Sequence, residues 1–138
     1  MRTVFADTLL WIARVRPRDP WQTAARTALQ RIGDVRLVTT DEVLNELLAA
    51  LSRGGPVLRR KAVETVRLLL GTPAVTVVPQ TRQSFLAAVN RYEARSDKTY
   101  SLTDCASMNA MDAQGIREIL TSDRHFEQEG FLVLIEKR

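Results

Sequence analysis

Histidine and cysteine are nearly absent from this chain, which has one of each among 138 residues, His125 and Cys105. A single cysteine excludes an intrachain disulfide framework and a zinc site built on several cysteines, and it fits a reducing compartment. A single histidine excludes a site of several histidines and disfavours a Ser/His/Asp triad. The reactive groups that remain in quantity are carboxylates, since the sequence contains 16 Asp and Glu residues.

Long apolar runs are also missing. No window approaches the roughly 18 apolar residues that a membrane-spanning helix needs. The N-terminal segment meets a charge at Asp7, which is too early for the apolar region of a signal peptide. We therefore expect a cytoplasmic protein without membrane association. Its length, with 45% hydrophobic and 26% charged residues, predicts a single folded domain over residues 1–138.

The net charge of +4 comes almost wholly from 17 arginines against 3 lysines. Residues 1–70 carry 12 basic and 7 acidic side chains, whereas residues 71–138 carry 8 and 9. Because the arginine fork pairs two phosphate oxygens at once, this charge is compatible with a nucleic-acid partner, although charge alone does not establish one. One predicted helix carries a basic group made of Arg59, Arg60, Lys61 and Arg67. Two interpretations of this group stay open: it contacts RNA phosphates, or it is a solvated face of the helix.

Short strand-like runs alternate with helical stretches along the whole chain. Strands are predicted at residues 3–6, 36–39, 74–78, 117–121 and 131–135, with helices between the first four and a turn before the last. This alternation predicts an α/β fold, a three-layer α/β/α sandwich around a mostly parallel sheet of about five strands. In such sheets ligands bind outside the carboxyl ends of the strands.

Four carboxylates fall at or near those strand ends: Asp7, Glu46, Asp104 and Asp123. If they converge, their oxygens suit Mg²⁺ or Mn²⁺, hard cations that activate water and stabilise charge on a phosphate. Three of them also have a purely structural explanation that the sequence leaves open. Asp7 is a possible helix N-cap, Asp104 completes a capping box that begins at Ser101, and Asp123 suits a turn.

Glu46 is the most informative of the four acids. The run from Thr39 to Glu42 predicts a capping box, which accounts for Glu42. Glu46 lies one helical turn further on, at the border of an apolar stripe that includes Val43 and Leu47, so the cap does not account for it. A solvated border position remains the alternative.

Read with their neighbours, these acids resemble those of the PIN-domain ribonucleases, and in particular of the VapC-type toxins of toxin–antitoxin pairs. The resemblance spans nearly the whole chain, and its motifs are Val4-Phe5-Ala6-Asp7-Thr8, Thr39-Thr40-Asp41-Glu42-Val43-Leu44-Asn45-Glu46-Leu47, Ser101-Leu102-Thr103-Asp104-Cys105-Ala106-Ser107-Met108 and Leu120-Thr121-Ser122-Asp123-Arg124-His125-Phe126. Each motif alone is weak, whereas their order and spacing together are fairly specific.

The resemblance implies a PIN-like fold and a metal-dependent endoribonuclease. Carried over by position, the catalytic residues that coordinate Mg²⁺ or Mn²⁺ are Asp7, Glu46, Asp104 and Asp123, with Thr8 and Thr121 as supporting hydroxyls. Metal-activated water would then cut the RNA backbone, leaving a 5′-phosphate and a 3′-hydroxyl. The family commonly forms homodimers, and a small antitoxin protein silences its toxins by covering the site.

One position departs from the family pattern, because Leu9 stands where many members carry a small hydroxyl residue after Asp-Thr. Leu9 also argues against an aspartyl phosphatase, which usually needs a second Asp two residues after the first. The alternative that stays open is a catalytically silent PIN-like protein that binds RNA or acts as a scaffold. The four acids count against it, because a phosphate binder gains nothing from repelling phosphate. The RNA target is not specified by the sequence.

Overall fold

The structure is a computed structural model that describes residues 1–137. Its strands are β1 (Thr3–Ala6), β2 (Arg36–Thr40), β3 (Val75–Val78), β4 (Glu118–Leu120) and β5 (Leu132–Val133). Its helices are α1 (Thr8–Val15), α2 (Gln22–Ile32), α3 (Asp41–Ala50), α4 (Pro56–Gly71), α5 (Arg82–Ala94), α6 (Leu102–Gln114) and a 3₁₀ helix (Arg124–Glu129). All five strands pair in parallel, in the order β3-β2-β1-β4-β5. The predicted α/β fold with a five-stranded parallel sheet is confirmed.

The sheet grows outward from β1 in two directions. The chain adds β2 and β3 on one side, then returns through α5 and α6 to add β4 and β5 on the other. Because crossovers between parallel strands are right-handed, the first two connections and the return connection cover opposite faces of the sheet. In agreement, α1 contacts α2, α3 and α4, while α5 packs on α6. The strand order therefore reverses between β1 and β4, and open α/β sheets bind ligands at this kind of switch point.

The central strand β1 supplies much of the core. Val4, Phe5 and Ala6 are fully buried, because helices cover both faces of a parallel sheet. Trp11 in α1 and Phe126 in the 3₁₀ helix are among the largest fully buried side chains of the core. The carboxyl ends of β1 and β4 are therefore anchored in the buried core.

Most helix boundaries follow their local signals. Pro56 occupies the first turn of α4, and Gly115 ends α6 in the left-handed conformation with a φ of +66°. Ser101 and Asp104 form the predicted capping box at the start of α6. The 3₁₀ helix forms where the sequence predicts only a turn.

The predicted capping box at Glu42 is wrong. Thr40, the last residue of β2, is the N-cap of α3, and its hydroxyl accepts a hydrogen bond from the Val43 N–H at 3.1 Å. Thr39 stays in the strand, where its hydroxyl donates to the Ala6 carbonyl at 2.9 Å. Glu42 therefore takes no part in the cap. Within residues 1–137, no helix combines the length and apolarity needed to cross a membrane.

Candidate functional site

Asp7 and Thr121 define the floor of the site, at the carboxyl ends of β1 and β4. The Asp7 N–H donates to the Leu120 carbonyl, which joins the two strand ends. The Thr121 hydroxyl donates to Asp7 Oδ2 at 2.9 Å. The Asp7 side chain makes no capping hydrogen bond to α1, although it precedes that helix. Asp7 therefore occupies the N-cap position without a side-chain capping hydrogen bond, and its carboxylate accepts from Thr121 instead, with 8% of the residue exposed.

Glu46 reaches the same region from the second turn of α3. Its Oε1 accepts a 2.8 Å hydrogen bond from the hydroxyl of Thr8, the first residue of α1. Thr8 is buried and Glu46 is half-buried. The contact fixes the direction of the Glu46 side chain, so the solvated alternative does not describe it.

Asp104 is placed by the first turn of α6. Its N–H donates to Ser101 Oγ and its Oδ2 accepts from the Ser101 N–H, each at 3.0 Å. The capping explanation of Asp104 is therefore correct. It uses one carboxylate oxygen, so capping orients the group without occupying both of its acceptors.

Asp123 follows β4 and caps the 3₁₀ helix. Its Oδ1 accepts from the His125 N–H at 2.9 Å, and its own N–H donates to Thr121 Oγ1 at 3.2 Å. Thr121 thus links the first and the last of the four acids. One ligand atom from each of Asp104, Asp123 and His125 lies within 4.8 Å of the others.

The charges of the four acids act on one another. The pKa of Asp7 is raised to about 7, mainly by burial and further by the charges of Asp104 and Glu46, while the Thr8 amide and the Thr121 hydroxyl oppose the rise. Burial also raises the pKa of Asp104, with additional contributions from Asp123 and Glu46. Charge interactions therefore connect Asp7 with Glu46 and Asp104, and Asp104 with Glu46 and Asp123. The ligand atoms that lie within 4.8 Å of one another belong to Asp104, Asp123 and His125, a group that does not include Asp7 or Glu46.

No Lys or Arg side chain of the described residues neutralises this cluster. Within residues 1–137, no Lys or Arg forms an ion pair with any of the four acids, and Asp123 has only the His125 imidazole, 3.2 Å away. Buried charges in proteins are normally paired or coordinate a metal ion. A cluster of carboxylate oxygens without a counter-ion therefore has the donor set of a hard divalent cation.

His125 lies in a predicted turn, where the sequence is compatible with a substrate contact but favours an ordinary loop histidine, and its place beside Asp123 is not predicted. Its Nδ1 lies 3.2 Å from Asp123 Oδ1, and its Nε2 lies 3.2 Å from Thr99 Oγ1. The Tyr100 ring packs edge-on against it, with ring centroids 5.7 Å apart. The only sequence signal is the two-residue spacing from Asp123.

The Tyr100 hydroxyl belongs to a network of charged side chains centred on Glu129. Glu129 is largely buried and accepts hydrogen bonds from Arg91, Arg95 and the Tyr100 hydroxyl, at 2.9, 3.1 and 3.2 Å. Burial alone would raise the pKa of Glu129, but the two guanidinium groups outweigh it and the pKa is lowered. The network joins α5 to the 3₁₀ helix and so fixes the segment that carries His125.

The structure is compatible with both interpretations of the basic residues of α4, contacts with RNA phosphates and a solvated face. Arg59, Arg60, Lys61 and Arg67 are all exposed. Arg59 donates to the Ser52 carbonyl at the preceding turn. Exposure suits both phosphate contacts and a solvated face.

Comparisons with known proteins agree with the fold and with the resemblance found in the sequence. A family model described as the PIN domain matches residues 4–132. No curated protein sequence matches the chain. The crystal structure of Mycobacterium tuberculosis VapC20, described as a sarcin–ricin loop cleaving toxin, is similar with a TM-score of 0.81 and 26% identity. The similarity covers 94% of this chain and 96% of that one.

Two further structures share the fold at lower identity. FitAcB from Neisseria gonorrhoeae aligns with a TM-score of 0.65 and 13% identity, over 95% of this chain and 96% of that one. A toxin–antitoxin complex from Klebsiella pneumoniae aligns with a TM-score of 0.61 and 11% identity, over 88% and 87%. At these identities the likeness concerns the fold alone.

Proposed function

The chain belongs to the PIN-domain family, and from that membership we propose that it is a divalent-metal-dependent endoribonuclease and the toxin of a toxin–antitoxin pair. The observation that carries the proposal is the cluster of Asp7, Glu46, Asp104 and Asp123 at the switch point, which has no basic counter-ion among residues 1–137. We further propose that residues 1–138 act as a single domain.

In this proposal the four acids hold Mg²⁺ or Mn²⁺. When bound, such an ion lowers the pKa of a water ligand and stabilises the charge that develops on the phosphate. The protein's own contribution is to present deprotonated oxygens in fixed directions. Thr121 and Thr8 do this by donating to Asp7 and Glu46, and the Ser101 cap does it for Asp104.

His125 completes the arrangement around Asp123. The His125 backbone N–H donates to Asp123 Oδ1, and the imidazole lies beside the same oxygen. Hydrogen bonds to a ligating carboxylate orient it and tune its basicity. We assign His125 as a positioning residue for Asp123.

A structured loop of ribosomal RNA is the substrate class that we propose. The support is the likeness to VapC20, whose description names the sarcin–ricin loop. The exposed arginines on α4 are the surface that we propose for contacts with RNA phosphates. An RNA of this kind requires a cytoplasmic location, which the proposal includes.

A small antitoxin and a second copy of the chain are the proposed protein partners. Among the similar structures is a toxin–antitoxin complex. This chain exposes large apolar side chains on two helices, Leu68 and Leu70 on α4 and Leu86 and Tyr92 on α5. Exposed apolar groups of this size are common where proteins associate.

The proposal is tested by incubating the purified protein with an RNA hairpin that copies the sarcin–ricin loop, in Mg²⁺, in Mn²⁺ and in EDTA. We expect cleavage with either metal, 5′-phosphate products, and no cleavage in EDTA. The Asp104→Asn variant is the inactive control. RNA binding without cleavage under every metal condition would favour the silent RNA-binding protein instead.

A further inference from the structure

A cavity of about 360 Å³ lies next to the acid cluster, above the carboxyl ends of β2 and β3. Residues of α5 and α6 line it, together with Thr40 at the end of β2 and Glu42 in the first turn of α3. The volume falls in the range of small-molecule sites, about 300–1,000 Å³. The acid cluster lies at the carboxyl ends of β1 and β4. Because β2 pairs with β1, the cavity lies at the neighbouring strands of the same edge of the sheet.

The walls of the cavity are small and mostly apolar. Val78, Pro79 and four alanines of α5 and α6 form the apolar part, and Thr81, Gln83 and Ser84 add polar groups on the α5 side. The alanines of α5 and α6 leave a gap between the helices where larger side chains would fill it. Flat, uncharged groups are the ligands that such walls favour.

Glu42 is the one carboxylate that lines the cavity, and nothing else in the fold explains it. It does not belong to the α3 cap, whose hydrogen bond goes to Val43. Within residues 1–137 it forms no ion pair, and burial followed by the charge of Asp41 raises its pKa. The carboxylate accepts from its own backbone N–H, which opposes that rise and leaves acceptor capacity for a ligand with N–H donors.

Asn109 supplies a donor on the α6 side of the same cavity. Its Oδ1 accepts from Arg91 Nη1 at 3.1 Å, which fixes the orientation of the amide. The NH₂ group therefore faces away from Arg91, with two hydrogens to donate.

We propose that this cavity binds one base of the RNA substrate, with Glu42 accepting from the N–H donors of the base and Asn109 donating to its carbonyl oxygen. The proposal rests on the proposed function, since it assigns a base-recognition site to the same nuclease. Guanine is the favoured base, because it presents two adjacent N–H donors beside a carbonyl. Sequence-specific RNA recognition usually takes such unstacked bases into protein pockets.

The position of the cavity relative to the acid cluster suits the base of a nucleotide next to the cleaved phosphodiester bond. Glu42 and Glu46 are four residues apart on α3, so they lie on the same side of the helix with Cβ atoms about 5–6 Å apart. Glu46 points into the acid cluster and Glu42 into the cavity. A nucleotide whose phosphate lies at the cluster can therefore place its own base, or that of its neighbour, in the cavity.

The test measures fluorescence anisotropy of four labelled RNA tetranucleotides, UUUU, UUGU, UUCU and UUAU, in EDTA so that no cleavage occurs. We expect UUGU to bind about tenfold more tightly than UUUU, within the discrimination of a good bidentate contact. Glu42→Gln should reduce this ratio below about twofold. Ala110→Leu should do the same by filling the cavity.

Matched controls separate recognition from folding. Glu64→Gln removes an exposed carboxylate from α4, and Ala94→Leu enlarges an exposed alanine of α5, so both should keep the tenfold ratio. Circular dichroism and melting curves check that each variant is folded. Equal affinity of wild type for all four oligonucleotides, or no affinity for any, would overturn the base site.

A second measurement distinguishes failure of this proposal from failure of the proposed function. Products from a randomised RNA in Mg²⁺ are sequenced, and we expect enrichment of guanine at one position near the cut. Glu42→Gln should flatten that single position while cleavage continues. Cleavage with no base preference would overturn the base site and leave the nuclease proposal standing, whereas absence of cleavage would count against the nuclease itself.

Discussion

The hydroxyl of Thr121 donates to Asp7 Oδ2 at 2.9 Å, across 114 positions of the sequence. Its oxygen also accepts a hydrogen bond from the Asp123 N–H at 3.2 Å. One side chain at the end of β4 therefore sets the positions of the first and the last acids of the cluster. Only 1% of Thr121 is exposed, so water cannot replace it.

Replacing Thr121 with Val tests this relationship. Valine keeps the shape but leaves Asp7 without its hydroxyl donor, and a buried acceptor without a partner costs about 1–3 kcal/mol. We expect this loss in the free energy of unfolding from urea titration, together with reduced cleavage. Thr121→Ser keeps the donor and should restore most of both. If Val and Ser variants cleave equally, the hydroxyl has no role in the site.

The raised pKa of Asp7 predicts a pH dependence of stability in the metal-free protein. The folded-state pKa of about 7 exceeds the ordinary value of 3.8, so the folded state holds this proton more tightly than the unfolded state. The resulting stabilisation is complete below about pH 4 and is lost as the pH rises through 7. When the pKa values of the folded and unfolded states differ by one pH unit, the free energy of unfolding changes by about 1.4 kcal/mol.

Asp7→Asn isolates this contribution, because asparagine retains an acceptor for Thr121 and does not titrate. The difference in unfolding free energy, wild type minus variant, should fall between pH 4 and pH 8 in EDTA. A difference that stays constant over this range would mean that Asp7 is ionised in the folded state at all of these pH values.

Asp104→Asn tests the metal site through stability. In wild type, Mg²⁺ at ten times its dissociation constant should stabilise the folded state by about 1.4 kcal/mol. The variant should gain much less, and without metal it should be no less stable than wild type, because one repelling charge is gone. Asp97→Asn, which changes an exposed loop acid, is the matched control and should respond to Mg²⁺ as wild type does. Identical responses of Asp104→Asn and wild type would make Asp104 a capping residue only.

The Glu129 network predicts a large loss of stability on truncation. Glu129→Ala leaves Arg95 without its carboxylate partner and leaves the largely buried Arg91 with Asp112 alone. Breaking a buried ion pair costs about 3–5 kcal/mol. Because Arg91 keeps Asp112 and Arg95 is partly exposed, we expect the lower end of this range, about 3 kcal/mol. Glu127→Ala removes an exposed carboxylate from the same 3₁₀ helix, where it pairs with Arg124, and should cost at most about 1 kcal/mol. Similar melting temperatures for the two variants would contradict the buried network.

Salt dependence of RNA binding decides between the two interpretations of α4. If Arg60 and Arg67 contact phosphates, affinity for single-stranded RNA in EDTA should fall linearly in a plot of log affinity against log salt concentration. Each Arg→Gln change at these positions should reduce the slope by about 0.7. Unchanged slopes in both variants would assign the basic residues of α4 to a solvated face.

Much of the fold could be predicted because its boundaries have local causes. Pro56, Gly115 and the Ser101 cap each act within one helical turn, and each marks a helix boundary in the structure. The Glu42 error also has a local cause. The sequence allows either Thr39 or Thr40 to cap α3. Thr39 does not cap it because its hydroxyl donates to the carbonyl of Ala6, which is 33 positions away in the sequence.

The site could be predicted only in part, for a related reason. Strand ends predicted the region where the acids meet, but the Thr8–Glu46 contact joins residues 38 positions apart, and no local pattern encodes it. His125 is similar, because its contact with Thr99 depends on how two loops pack. The cavity beside Glu42 depends on the spacing of α5 and α6, which alanine-rich helix faces do not specify from sequence.

Because β1 pairs with β4, the acid cluster cannot form until late in the synthesis of the chain. Ribosomes make the chain from its N-terminus, and Asp104, Thr121 and Asp123 are synthesised long after Asp7. A growing chain that stops before β4 lacks Asp123 and the strand that positions Asp7. In the proposed toxin, synthesis itself would therefore delay activity, and the nascent chain would be harmless to the ribosome that makes it until β4 and Asp123 have emerged.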